Sequence, residues 1–100
     1  EIMLVECHIA GTSFRDVRSV EPDLAAGTFL ALRREPGNPH DELAIMILTE
    51  HGRQLGYVPR AKNEALARLM DAGKLLFARL ETKQWVDDWL RAEIRIFLRD

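Results

Sequence analysis

Cysteine is nearly absent from this chain of 100 residues, with Cys7 standing alone. A single thiol excludes an internal disulfide and a cysteine-based zinc centre, since both need partners at defined spacings. Glycine and proline are scarce as well, at six and four residues, while 47% of the chain is apolar. That balance belongs to a globular protein and not to a disordered one. No basic excess exists, because 14 Lys and Arg face 16 Asp and Glu. Bulk attraction to phosphate needs many cations, so any nucleic-acid site must be local and shape-specific. Long apolar runs are missing, and Glu1-Ile2-Met3-Leu4-Val5-Glu6 has neither the basic region nor the apolar core of a signal peptide. A cytoplasmic protein without membrane contact is expected. The start at Glu1 in place of methionine suggests a piece of a longer chain.

What is present is mostly strand patterning. From Ile2 to Ile9, Val5, Cys7 and Ile9 fall on one face with Glu6 and His8 on the other. The mixed stretch Ser13 to Gly27, around Pro22, predicts a loop with a short helical turn. Thr28 to Arg34 predicts a second strand, stopped by Glu35-Pro36-Gly37-Asn38-Pro39, which cannot continue a ladder. Ala44 to Thr49 and Gln54 to Val58 flank a turn at His51-Gly52-Arg53 and predict a hairpin. Next comes a helix with Ala65, Leu66, Leu69 and Met70 on one face, Asn63 as its cap and Gly73 as its stop. Leu75 to Thr82 predicts a fifth strand, and Leu90, Ala92, Ile94, Ile96 and Leu98 alternate strictly in a sixth.

One hundred residues bury one core, so residues 1–100 are expected to form a single domain. Six strands and one main helix cannot cover their apolar faces as a flat sheet. The expected fold is therefore mainly β, a closed or nearly closed small barrel, with a two-layer α+β sandwich as the alternative.

Two segments go beyond pattern. Arg34-Glu35-Pro36-Gly37-Asn38-Pro39-His40-Asp41-Glu42-Leu43-Ala44-Ile45 and Gly56-Tyr57-Val58-Pro59-Arg60 resemble the signature runs of the HIRAN family, R-E-P-x-N-P-x-D-x-x-A-I and G-Y-x-P-R. Ala10-Gly11 with Phe14 upstream, and the helix after Arg60, extend the resemblance over nearly the whole chain. It implies an OB-like β-barrel that holds the 3′ end of single-stranded DNA, with no cofactor. A helicase or nuclease, fused or separate, is the implied partner, and damaged or stalled-fork DNA the implied setting. Carried over by position, Phe14 and His40 are ring platforms and Asn38 and Asp41 read the end. Tyr57 and Arg60 lie near the sugar-phosphate backbone. The chain departs from the DNA-binding relative at His40, where that protein has tyrosine, and at Tyr57, where it has histidine. Ser13 and Arg15 around Phe14 replace an arginine and an aromatic residue.

In chemical terms, a fixed carboxylate such as Asp41 accepts the proton of a terminal hydroxyl in a charge-assisted bond and repels a terminal phosphate. Rings stack on bases with little sequence preference. Arg60 can take phosphate, as can Arg33, Arg34 or Lys62. Each residue also has a purely architectural reading. Asp41 and Asn38 suit a turn, and Phe14 and Tyr57 suit a barrel core. Arg91, Arg95 and Arg99 form an outward stripe on the last strand that reads as an ordinary solvated face. Trp85 and Phe97 are apolar residues that suit a protein-interaction surface outside the core. Nothing frames a nucleophile or spaces ligands for a metal, so an enzyme is not expected.

Overall fold

The computed structural model describes residues 1–12 and 17–99. Six strands form one antiparallel sheet: β1 (Ile2–His8), β2 (Phe29–Arg34), β3 (Ile45–Thr49), β4 (Gln54–Tyr57), β5 (Leu75–Val86) and β6 (Trp89–Arg99). Their spatial order is β1-β6-β5-β2-β3-β4. Among the described residues the one helix longer than a single turn, α1 (Arg60–Asp71), joins β4 to β5, and Glu21–Asp23 makes a 3₁₀ turn before β2.

Alternation sets the register. Leu30, Ile45, Ile47, Leu80, Ile94 and Ile96 are fully buried and share the inner face. Burial of each such side chain stabilises by about 1.5–3 kcal/mol, so a one-residue slip that exposed a whole strand's set would be prohibitive. Register breaks between Met3 and Val5, between Ile47 and Leu48, and between Leu80 and Thr82 insert extra residues on one strand. Such bulges increase the twist and let a six-stranded sheet curl. The result is a half-barrel whose two edges meet at one point. Beyond the end of β1, Ala10 and Tyr57 exchange both backbone hydrogen bonds at 2.8 Å. The barrel expectation is met in this form: curled, with the seam held by one bridge.

Helix α1 begins at Arg60, with Pro59 at the N-cap and no side-chain cap. Asn63 therefore does not cap it. It sits in the first turn, buried, with its amide facing the loop after β2. Ala65 is exposed, and Ala67 takes its place on the packed face with Leu66. The stop is as expected. Gly73 adopts φ +94°, its N–H bonds Met70 O, and the N–H of Lys74 bonds Leu69 O, which is the Schellman arrangement.

Strand β5 runs four residues past its expected end at Thr82, to Val86. Lys83, Gln84 and Trp85 pair with Ala92, Arg91 and Leu90, so β5 and β6 form a long hairpin closed by Asp87 and Asp88. Trp85 packs against the core and is not a free surface residue. Glu21 ties the preceding segment to this hairpin. Its carboxylate receives Lys83 Nζ and the indole N–H of Trp85, the latter at 3.1 Å. The Lys83 hydrogen bond, then that of Trp85, holds the Glu21 carboxyl below its ordinary value of 4.5. A lowered folded-state value means that the tie stabilises above the ordinary range and is lost as pH falls through the lowered one. Glu21→Gln is expected to flatten the acid limb of thermal stability below pH 4.5, as measured by melting temperature against pH.

Candidate functional site

The loop between β2 and β3 is organised by its own side chains. Asn38 Oδ1 accepts the backbone N–H groups of His40 and Asp41 at 2.8 and 3.1 Å, and its Nδ2 donates to Glu35 Oε1 at 2.7 Å. The Tyr57 hydroxyl donates to the same Glu35 oxygen at 2.7 Å. Asn38 is thus the internal frame of the turn, and Glu35 anchors that frame to β4. Arg34 completes the clamp, its side chain only 13% exposed. The guanidinium donates to Ala44 O at 2.6 Å and Glu42 O at 2.9 Å, and pairs with Asp71 of α1 at 2.9 Å. A group so committed is a fastener of the loop and does not offer itself to phosphate. Arg33 points from the outer wall of β2, away from the loop clamp.

Asp41 sits where the loop meets the helix. Its Oδ1 accepts the N–H of Leu43 at 2.9 Å, and Oδ2 accepts the Asn63 amide at 2.8 Å with Arg60 Nε at 3.6 Å. The Leu43 N–H is the largest influence that lowers its pKa. Burial opposes it, and the Asn63 amide and the charges of Arg60 and Arg34 add to the lowering. The carboxylate is therefore fully ionised at neutral pH. Each oxygen keeps a second acceptor position, and the side chain is 16% exposed.

Arg60 extends over this corner, 76% exposed, and donates to His40 O at 3.0 Å. Asn38, His40, Asp41, Tyr57 and Arg60, with Ala10, Ala44 and Val58 as the apolar floor, line a cleft of about 210 Å³. The structure thus gathers five of the six expected site residues at one opening beside the barrel seam. The sixth, Phe14, lies outside the described residues, as do Ser13 and Arg15. Thr12 just before them is pinned by its buried hydroxyl to Leu90 O at 2.7 Å.

The residue profile of the HIRAN domain matches residues 2–99. The chain belongs to the HIRAN family. Its HIRAN fold superposes on a protein from Lactobacillus plantarum with TM-score 0.89 and 26% identity, covering 97% of this chain and 93% of that one. The HIRAN domain of human HLTF gives TM-score 0.77 at 20% identity, over 94% of this chain and 73% of that one, which supports the fold. Among curated proteins, a helicase-like transcription factor of Oryctolagus cuniculus is 45% identical over 42 residues, 42% of this chain. A Fanconi-associated nuclease 1 homolog of Arabidopsis thaliana is 34% identical over 73 residues, 73% of this chain. These matches span only 4% and 8% of those proteins.

Glu35 and Asn63 hold the cleft's side chains in place, Glu35 through Asn38 and Tyr57 and Asn63 through Asp41, a role that residue-type reasoning did not give them. Glu35 lies inside the quoted R-E-P run. Asn63 was readable only as a helix cap, because nothing local marks a buried amide aimed at a carboxylate 22 residues away.

Proposed function

We propose that this HIRAN domain is a binding module for the 3′-hydroxyl end of single-stranded DNA, seated in the cleft between the Asn38–Asp41 turn and Arg60. The carrying observation is Asp41: an ionised, positioned carboxylate with acceptor capacity left, lining an opening of a size that suits a strand terminus. At about 210 Å³ the cleft is below the ~300–1,000 Å³ of ordinary small-ligand sites. Asp41 accepts the terminal hydroxyl, and the exposed His40 ring lies against the last base. Arg60 meets the phosphate behind it. Tyr57 offers ring surface, since its hydroxyl proton is engaged by Glu35. The relatives, a helicase-like transcription factor and a Fanconi-associated nuclease homolog, support a DNA setting. No turnover is proposed.

The test is fluorescence anisotropy with labelled single strands ending in a 3′-hydroxyl, a 3′-phosphate or a closed hairpin. The hydroxyl end is expected to bind best, and equal binding of the phosphate end would sink the proposal. Among the described residues, Arg60 is the one Lys or Arg side chain lining the cleft. The slope of log affinity against log salt is accordingly expected to be about −1 or shallower, far from that of a phosphate-tracking protein.

A further inference from the structure

The outer wall of the sheet carries a second apolar cluster that takes no part in the barrel interior. Met3, Phe97, Phe77, Ala31 and Leu48 are successive register partners across β1, β6, β5, β2 and β3. None belongs to the core cluster. Phe77 stacks between Phe97 at 5.3 Å and Phe29 at 5.7 Å, and the guanidinium groups of Arg79 and Arg99 stand 5.5 and 5.6 Å from its ring centre. Phe77 is consequently 4% exposed although it faces outward, while Met3 at 48% and Leu75 at 64% stay open at the margin. Beside the row, Phe97, Arg79, Arg95 and the Ala26–Gly27 backbone enclose a depression of about 260 Å³.

The charge of this wall is opposite to that of the chain, which is −2 overall. Arg33, Arg79, Arg91, Arg95 and Arg99 stand here with Glu6, Glu81 and Glu93; Glu6 and Glu81 both pair with Arg95, at 3.2 and 2.7 Å, and Glu93 pairs with Arg91 at 3.2 Å. Arg33, Arg79 and Arg99 have no carboxylate partner among the described residues. Stacking platforms for bases need open ring faces, yet both faces of Phe77 are covered by its neighbours. Apolar ring edges and aliphatic stems with a cationic rim suit a protein segment better.

We propose that this wall, distinct from the cleft at Asp41, docks an extended acidic segment of a partner protein that presents carboxylates and apolar side chains in turn at every second position. In an extended chain successive side chains point to opposite sides. The apolar side chains would enter the depression beside Phe97 while the carboxylates two residues away, on the same side of the segment, reach Arg79 and Arg99. The proposal stands independently of the DNA reading.

The probe is a labelled peptide repeating Glu-Ser-Phe-Ser, which sets Glu and Phe on one side of an extended chain, measured by anisotropy and by amide chemical-shift mapping. It is expected to bind, with shifts centred on Met3, Phe77, Arg79 and Phe97. Charge reversal in the double variant Arg79→Glu, Arg99→Glu is expected to weaken it about tenfold, as loss of complementary charge does at interfaces. The affinity for a 3′-hydroxyl oligonucleotide should be unchanged. Arg33→Glu, at an exposed position, serves the same purpose if the double variant fails to fold. Absence of peptide binding, or shifts confined to residues 35–43, would overturn the proposal. So would equal loss of oligonucleotide binding in the charge-reversed variants, which would make the wall part of a DNA path.

Discussion

Asp41→Asn is expected to erase the preference for a 3′-hydroxyl terminus while leaving the fold in place. The substitution keeps the carbonyl oxygen that receives the Leu43 N–H. On the other side the Asn63 amide need only turn over to offer its oxygen to the new amide nitrogen. What disappears is the charge, and a hydrogen bond to a charged group contributes about 1.5–3 kcal/mol. Affinity for the hydroxyl end should fall by about tenfold to a hundredfold, while affinity for a 3′-phosphate end rises as repulsion is removed. Asp41→Ala should show the same loss plus a drop in stability of about 1–3 kcal/mol, because the buried Asn63 amide loses its partner. If Asp41→Asn binds the hydroxyl end as well as the native protein does, Asp41 only ties the loop. The pH dependence has the matching sign. Asp41 titrates below its ordinary 3.8, so its contribution persists from neutral pH down through that value and is lost only as the lowered value is crossed.

Gly56→Ala should open the barrel. A Cβ at this position would lie inside the van der Waals contact distance of the Ala10 carbonyl oxygen and 2.8 Å from Ile9 Cγ2. The first obstacle is backbone, and that same carbonyl accepts the Tyr57 N–H across the seam. The methyl can be admitted only by pushing β4 away from the chain beyond β1, which breaks the bridge. Overpacking costs about 1–3 kcal/mol, and loss of two backbone bonds puts this case at the top of that range. For a domain of this size about 3 kcal/mol corresponds to a fall in Tm of roughly 12–24 °C. Gly52→Ala is the control. Its φ of +88° also disfavours a side chain, but nothing stands within 4 Å of the added carbon. It should cost only about 1 kcal/mol. DNA binding by Gly56→Ala should fall along with stability, since Ala10 and Tyr57 both line the cleft. Equal melting temperatures for the two variants would show that the seam does not hold the barrel.

The fold was readable wherever one face of a strand is uniformly apolar. β1, β3, β4 and β6 stand within a residue or two of their expected limits because Val5, Cys7, Ile47 and Ile94 leave no choice of face. The outer half of β5 was hidden. Lys83 and Gln84 look like the start of a loop, and only pairing with β6 makes them strand. The helix start failed for a related reason. Asn63 has the chemistry of a cap, and what displaced it is the distant carboxylate of Asp41, together with Pro59, whose fixed φ suits the residue before a helix. Within the site, the family runs located Asn38, His40, Asp41, Tyr57 and Arg60 together. They did not separate the frame from the reading surface. That Asn38 spends its amide on the turn while Asp41 keeps acceptors toward the opening follows from bond directions, which no spacing rule contains. The wall of Phe29, Phe77 and Phe97 was equally unreadable, because three aromatics far apart in sequence become neighbours only through the strand order.

The seating of the first strand beside the last constrains how the protein is made. β1 finds its ladder partner only in β6, whose residues follow it by nearly the length of the chain. On a ribosome the hairpin of β3 and β4 can form early, since its contacts are local. β1 must wait, apolar and unpaired, until the final strand has been released. Its exposed backbone during that wait is a hazard for mispairing with another nascent copy. Cutting the chain after Ile94 would therefore strip Ile2 to Glu6 of their partners, while Cys7, His8 and Ile9 keep theirs and hold Ala10 at the seam.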